Sequence, residues 1–374
     1  MKQFTYLISF LLLISCKNES IRPQSDNQIK IDPNKKELFF DIKQAQFSET
    51  IPLESTEHSL LGNIDKILIK NNHMYILDKE IAEAIFVFDE KGKFIYKIDR
   101  SGQGPGEYSS LDDFTIDEKT GSLLILDADQ RKILYFEGST FTHEKKIPYD
   151  ISFISSNGEN FIGVTNYCDG EGQECHHVLL FDNDFNLIKK EESFVYDPQK
   201  IEWDLRLPLF TSAQKNFYTK SFSNYIKLVN EDSVRNFVHI DFGSNNLPEN
   251  VLNYDRQKLL DYLKKEKNVA YLIDNFMMDE NLVYFNFFYN QKLLSAFVST
   301  EDFSKNRLFH NIITMEKVSL TPLYMHGGFI YFVMDSMQME NQVDTDSEDS
   351  HTMESNPILL KVSSEKIAGL FFSN

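Results

Sequence analysis

Three cysteines, one tryptophan, 15 glycines and 10 prolines in 374 residues are too few for a disulfide-stapled miniprotein, a collagen or a low-complexity chain. Basic charge is scarce as well: 38 Lys and Arg stand against 57 Asp and Glu, for a formal net charge of -19. Such a surface repels a phosphate backbone, which argues against nucleic acid as a partner. Beyond the N-terminal leader, no run is apolar enough for a transmembrane helix. Catalytic signatures are missing too. There is no G-x-S-x-G and no H-E-x-x-H, and the nine histidines are scattered apart from His176 and His177. What the chain does have is 41% hydrophobic and 13% aromatic residues, enough apolar mass for a full core.

The first residues carry an address. Lys2 precedes an apolar run, Phe4 to Ile14, broken only by Thr5 and Ser9 and too short to span a bilayer of about 30 Å. Residues 1–15 therefore read as an export signal. The run ends in Leu13-Ile14-Ser15-Cys16, which resembles the lipobox of bacterial lipoproteins. The resemblance implies that Cys16 becomes the mature N-terminus, its thiol carrying a diacylglyceryl thioether. The alternative is an ordinary secretory peptide with a chance cysteine. Two acyl chains anchor stably where one does not, so the mature protein is expected to sit on a membrane without spanning it. Residues 16–36, polar and Pro-punctuated, are expected to be a tether, and residues 37–374 a single domain.

The other cysteines, Cys168 and Cys175, flank a loop with two glycines that lets the sulfurs meet, and an exported protein meets an oxidising compartment. A disulfide is the expectation. The alternative is a metal site built from both thiolates with His176 and His177; neighbouring strand residues point to opposite faces, which works against convergence of the two imidazoles.

The middle of the chain repeats. Segments rich in β-branched and aromatic residues recur at 74–78, 123–127, 161–165, 217–221, 282–286 and 329–333, and they are read here as inner strands. Each has a partner segment, at 85–89, 133–137, 178–182, 225–229, 294–298 and 358–362. The spacing from Asp78 to Asp127 is 49 residues and from Asp127 to Thr165 it is 38, close to the 40 to 50 residues, roughly, of one four-stranded propeller blade. Near-continuous apolar character fits strands covered on both faces. Asp78 and Asp127 end their segments at turns, where a short carboxylate accepts turn amides.

Arg100-Ser-Gly-Gln-Gly-Pro-Gly-Glu-Tyr108, with Phe114-Thr-Ile-Asp117, Gly121, Leu124-Ile-Leu-Asp127 and Arg131-Lys-Ile-Leu-Tyr-Phe136, resembles the signature of the six-bladed β-propeller lipoproteins common in Bacteroidetes, a family similar to NHL-repeat propellers. The motif covers residues 64–137; the architecture it implies covers about residues 45–365. A phosphate cradle is a poor fit for Gly102, Gly104 and Gly106, because neither a Lys-Ser/Thr pair nor a long helix follows them. They are expected to form a crossover between blades, with Pro105 stiffening the turn.

Two insertions interrupt the repeat. Pro248 to Asn268 places Leu252, Leu259, Leu260 and Leu263 on one stripe, so one amphipathic helix is expected, either covering the propeller or acting as a mobile lid. Asp335 to Asn356 holds seven carboxylates and no Lys or Arg. It is expected to be a solvated loop; the calcium alternative through Asp344, Asp346 and Glu348 lacks the Gly and Glu an EF-hand loop needs. Phe47 to Leu53 is expected to close the ring as the outer strand of the last blade.

The expected fold is thus all-β: a six-bladed β-propeller closed by an N-terminal strand, with one helical insertion. The resemblance implies a lipoprotein of the bacterial cell envelope, anchored to the outer membrane and facing the periplasm or the outside. The leading functional expectation is a non-catalytic binding or scaffolding module, its partner a small molecule, a glycan or an envelope protein. The alternative is a hydrolase or lyase with its site in the axial funnel. No catalytic residue, metal ligand or cofactor is marked by the sequence, and the lone tryptophan, Trp203, is expected to pack against a blade rather than to stack a sugar.

Overall fold

A computed structural model describes residues 27–45, 49–156, 158–168, 174–200, 203, 205–212, 215–314, 317–334 and 355–373. The signal segment, Cys16, Phe47, Ser48 and the acidic carboxylates Asp344, Asp346 and Glu348 lie outside them. Three short strands come first: β1 (Asn27–Lys30), β2 (Glu37–Asp41) and β3 (Glu49–Pro52). Antiparallel meanders follow. The first is β4 (Lys66–Lys70), β5 (His73–Asp78), β6 (Ala84–Asp89) and β7 (Phe94–Ile98). The second is β8 (Asp113–Ile116), β9 (Leu123–Asp127), β10 (Lys132–Glu137) and β11 (Thr140–Lys146). The third is β12 (Phe153–Ser156), β13 (Phe161–Val164), β14 (Glu174–Phe181) and β15 (Leu187–Val195). In the fourth, β16 (Leu209–Ser212), β17 (Lys215–Tyr218), β18 (Tyr225–Val229) and β19 (Val234–Asp241) gain β1 as a fifth, parallel strand. After helix α1 (Arg256–Lys265) come β20 (Ala270–Met278), β21 (Leu282–Tyr289), β22 (Lys292–Ser299) and β23 (Asn306–Ile313). The chain ends with β24 (Ser319–His326), β25 (Phe329–Met334), β26 (Ile358–Ser363) and helix α2 (Ser364–Phe372).

The architecture is an all-β propeller, and its hydrogen bonding corrects the expected six separate blades. Four sheets stand alone as meanders, while β20 to β26 and β3 share one nine-stranded sheet with β2 paired at its flank. Its two halves meet where β23 pairs with β24 through Ile312 with Leu320 and Ile313 with Ser319. The turn between them is short, so the ladder does not break.

The segments read as inner strands are the second strand of each meander: β5, β9, β13, β17, β21 and β25. Their strands hydrogen-bond on both edges and are covered on both faces, so their sequences are continuously apolar. The innermost strands precede them. Side chains of neighbouring sheets interlock between the faces: Leu77 and Ile85 of the first sheet pack with Phe114, Ile125 and Leu134 of the second. Ile67, Ile76 and Phe86 of the first pack equally with Leu323, Tyr331 and Leu359 at the far end of the chain. Each fully buried side chain of this kind contributes about 1.5–3 kcal/mol.

The N-terminal segment straps three consecutive outer edges. β1 runs parallel to β19, β2 parallel to β23, and β3 antiparallel to β26. Residues 27–36 therefore belong to the fold and not to a tether reaching residue 36; Ile29 is 0% exposed. Beside β3, Gly92 has φ +83, and a Cβ there would lie 2.1 Å from the Pro52 carbonyl oxygen. Its amide chemistry joins the strap to the first sheet, since Glu54 N donates to Gly92 O at 2.8 Å.

The insertion at 248–268 is not one helix. A 3-10 turn, Glu249–Asn253, stops before Asp255, which caps the new helix α1 by accepting from Lys258 N at 2.9 Å. Val251, Leu259 and Leu263 are buried against Leu205, Tyr271 and Leu272, whereas Leu252 faces solvent. A second helix, α2, has no counterpart in the sequence reading. Ser363 caps it, and Ile367 and Phe371 pack on a cluster that includes Phe40, Phe297 and Phe309.

Candidate functional site

The innermost strands neighbour one another in the order β4, β8, β12, β16, β20, β24 and back to β4. They surround a cavity of about 270 Å³. An innermost strand turns one edge to the axis instead of to another strand, so polar side chains are tolerated there. Lys70, Glu118, Ser156, Ser212, Asp279 and His326 line the cavity from the C-terminal ends of these six segments.

Their chemistry is uneven. Lys70 Nζ pairs with Glu118 Oε2, so these two charges neutralise each other. His326 stacks on Tyr324 with centroids 5.8 Å apart. Burial lowers its pKa; Glu118 opposes that shift and Lys70 reinforces it, so the imidazole is neutral at pH 7. On β12 and β16, Ser155 Oγ and Thr211 Oγ1 lie 2.7 Å apart, and both also bond Asn216 Oδ1, Ser155 at 3.0 Å. Asn216 itself is 0% exposed. Asp279 Oδ1 accepts from Asn281 N at 2.8 Å and Leu282 N at 2.9 Å, while its Oδ2 is buried and meets no donor among the described residues. Across the ring from β12 and β16, strands β4 and β24 contribute Leu68, Ile69, Tyr324 and Met325. The cavity thus has a hydroxyl-bearing side next to a carboxylate, and an apolar, aromatic side opposite.

The other ends of the same strands are polar and bonded mostly among themselves, although Asn275 Oδ1 is buried without a hydrogen-bond partner among the described residues. Lys66 Nζ donates to Asp113 Oδ1 at 2.7 Å and to Phe114 O at 2.8 Å, and Asp113 Oδ2 accepts from Ile154 N. Leu272 and Asn275 sit at positive φ where β20 shifts register twice against β21. Asp274 lies between them and accepts from Arg206 N at 2.9 Å and Leu207 N at 3.3 Å. Arg206 Nη2 then reaches Ile64 O at 2.8 Å, pinning residues far apart in sequence. Burial raises the pKa of the neighbouring Asp65, although the Lys79 amide and Arg206 lower it.

The residues singled out by sequence lie elsewhere. Cys168 and Cys175 form a disulfide with S–S 2.03 Å and Cα–Cα 4.8 Å, which leaves neither sulfur as a thiolate for a metal. His177 is buried and stacked on Phe194 at 3.9 Å, whereas His176 is partly exposed. Burial, with Lys220 nearby, lowers the His177 pKa to about 4. Trp203 is 38% exposed and meets Phe222 edge-on at 6.2 Å. Gly102, Gly104 and Gly106 lie on the crossover from β7 to β8, where Gly106 has φ +74 and a Cβ would press on the Phe141 ring. Tyr108 locks that crossover by donating to Glu83 O at 2.6 Å. Asp78 accepts from the amides of Gly62, Asn63, Ile81 and Ala82; Asp127 accepts from those of Ser109 and Gln130. None of these residues lines the axial cavity. The signal that marked it was faint: a polar residue, Lys70, Glu118, Ser156, Ser212, Asp279 or His326, at or just past the end of each segment preceding an apolar one.

The family model that matches is described as a domain of unknown function, DUF4934, and it spans residues 28–363. Two solved structures share the fold. One is a Bacteroides fragilis protein described, provisionally, as exported: it is 16% identical with a TM-score of 0.70, and the match covers 90% of this chain and 99% of that one. The other is a Bacteroides vulgatus member of the duf4221 family, 8% identical with a TM-score of 0.51, covering 84% and 96%. At such identities the likeness speaks for the fold alone. No curated protein matches the chain.

Proposed function

We propose that this chain, which belongs to the DUF4934 family, is an exported, lipid-anchored propeller that binds a small molecule in its axial cavity without transforming it. The observation that carries the reading is the cavity itself, lined by five of the innermost strands and by Asp279 just past the sixth, β20. Counting the nine-stranded sheet as two blades gives a ring of six, closed by β3 as the outer strand beside β26; the cyclic order of the innermost strands and the shared core between first and last strands support that count. The lining favours binding over catalysis. The Ser155 and Thr211 hydroxyls bond one another and an amide, not a base, and Glu118 is neutralised by Lys70. Similarity to a protein described as exported supports an envelope location.

Two measurements test the reading. A panel of small polar and apolar compounds is screened by ligand-observed NMR against the soluble chain and against Ser212→Tyr, which fills one side of the cavity. Axial binding predicts compounds that bind the parent and lose the variant; binding unaffected by the substitution, or product accumulating from any bound compound, overturns the reading. For the anchor, palmitate labelling in cells is expected on the parent and absent from Cys16→Ser. Equal label on both would remove the lipid from the proposal.

A further inference from the structure

The cavity carries an unbalanced charge. Among the ionisable groups that line it, Lys70 and Glu118 cancel, His326 is neutral, and Asp279 has no cationic partner among the described residues. One oxygen of that carboxylate is held by two backbone amides; the other is buried and has no hydrogen-bond partner among the described residues. A buried acceptor left unpaired costs about 1–3 kcal/mol, and more when it is charged. Beside it in the ring, the protons of Ser155 and Thr211 are engaged with each other and with Asn216 Oδ1, so what these hydroxyls offer the cavity is lone pairs. Ser155 and Thr211 thus add acceptors near Asp279, while the donors of the lining, Lys70 and the hydroxyls of Thr115, Ser156 and Ser212, stand on other parts of the wall. Its opposite side, Leu68, Ile69, Tyr324 and Met325, suits a compact apolar body. A cavity of about 270 Å³ falls just below the range of roughly 300–1,000 Å³ for drug-sized ligands.

Resting on the axial-binding reading above, we infer that the cavity takes a small primary ammonium compound with no carboxylate, its nitrogen donating to Asp279 and its body lying along Tyr324 and Met325. A free amino acid is disfavoured because its carboxylate would face Asp279 and Glu118, while Lys70 is already paired. The acidic balance of the whole chain, -19, draws such a cation inward.

The test uses three matched probes, n-butylammonium, n-butanol and 4-aminobutyrate, and the ¹³C-methyl signal of Met325 as the reporter, assigned with Met325→Leu. Butylammonium is expected to shift that signal and to bind about tenfold or more tightly than butanol and 4-aminobutyrate. Asp279→Asn keeps the oxygen that accepts the two amides and is expected to erase that preference while leaving butanol unchanged. Equal binding of butylammonium and butanol by the unmodified chain, a comparison that needs no variant, overturns the ammonium assignment but leaves axial binding standing. A preference that survives in a folded Asp279→Asn overturns the role of Asp279. Should none of these probes, nor any compound of the wider panel, move Met325, both the ammonium assignment and the axial reading fall.

Discussion

Residues 66–146 and residues 270–363 are built from the same antiparallel meander, yet they join their units differently. In the first region the junction runs through residues 99–112 and is gripped by carboxylates: Asp127, fully buried, takes the Ser109 and Gln130 amides, and Asp112 takes Ala128 N at 2.8 Å. Asp78 and Asp65 repeat that arrangement one unit earlier, with Asp65 taking Lys79 N at 2.7 Å. The sheets separate cleanly there. In the second region the junction is only 314–318, with Thr314 N bonded to Val318 O at 2.9 Å, and the ladder runs from one unit into the next. The repeat motif is thus a mark of the junction and not of the strands, which is why it fades although the strands continue. Between the two regions, the third sheet has Thr165 where the first two have Asp, and its loop is held by a disulfide and a buried histidine.

Substitutions can break this comparison. The largest effect is expected in the second region, which depends on a distant strap. Deleting residues 27–52 removes Ile29, Ile31, Phe40, Ile42 and Ile51 from the core, a loss on the order of 10 kcal/mol that is comparable with the whole net stability of a domain. The truncated chain is expected to show no cooperative melt by circular dichroism, and a melt like that of the intact chain would refute the strap. Next, Asp127→Ala strips several donors of their buried acceptor and should cost about 3–5 kcal/mol in urea unfolding. Thr314→Ala at the short junction should cost about 1 kcal/mol or less. Similar costs at both sites would mean that the two junctions do not differ as described.

The third sheet sharpens the contrast through pH. Because folding lowers the His177 pKa from 6.5 to about 4, its contribution is present above pH 6.5 and is lost as the pH falls toward 4. That loss amounts to up to about 3 kcal/mol. His177→Phe is expected to flatten the stability profile across this window, and an unchanged slope would assign the acid sensitivity to other groups. In the same sheet the staple is worth slightly less than the histidine: Cys168→Ser with Cys175→Ser should cost about 2.5 kcal/mol through the freed loop. A double variant as stable as the parent would show that Thr165 and His177 hold the loop unaided.

Much of the fold was legible because its signals are local. A strand covered on both faces must be apolar throughout, so β5, β9, β13, β17, β21 and β25 announced themselves, and so did their partner strands. The Cys168 and Cys175 pairing was legible for the same reason, since a short Gly-containing loop suffices to bring the sulfurs together. Helix α2 was missed because nine residues beginning at Ser364 look like any apolar tail until Phe40, Phe297 and Phe309 supply the surface they cover. Strand β1 was missed because the buried face of so short a strand is little more than Ile29.

The cavity could not be found by that route. Lys70, Glu118, Ser155, Thr211, Asp279 and His326 stand in six separate segments, each an unremarkable polar residue at a strand end. By itself the sequence determined a run of meanders and a stapled loop, because periodicity, turn chemistry and short spacing act between neighbours along the chain. Only the tertiary structure decided which strands face the axis, where the sheet runs on unbroken, and that the carboxylate of Asp279 meets no cation among the described residues, because each of these depends on residues that the winding of the chain brings together from distant parts of the sequence.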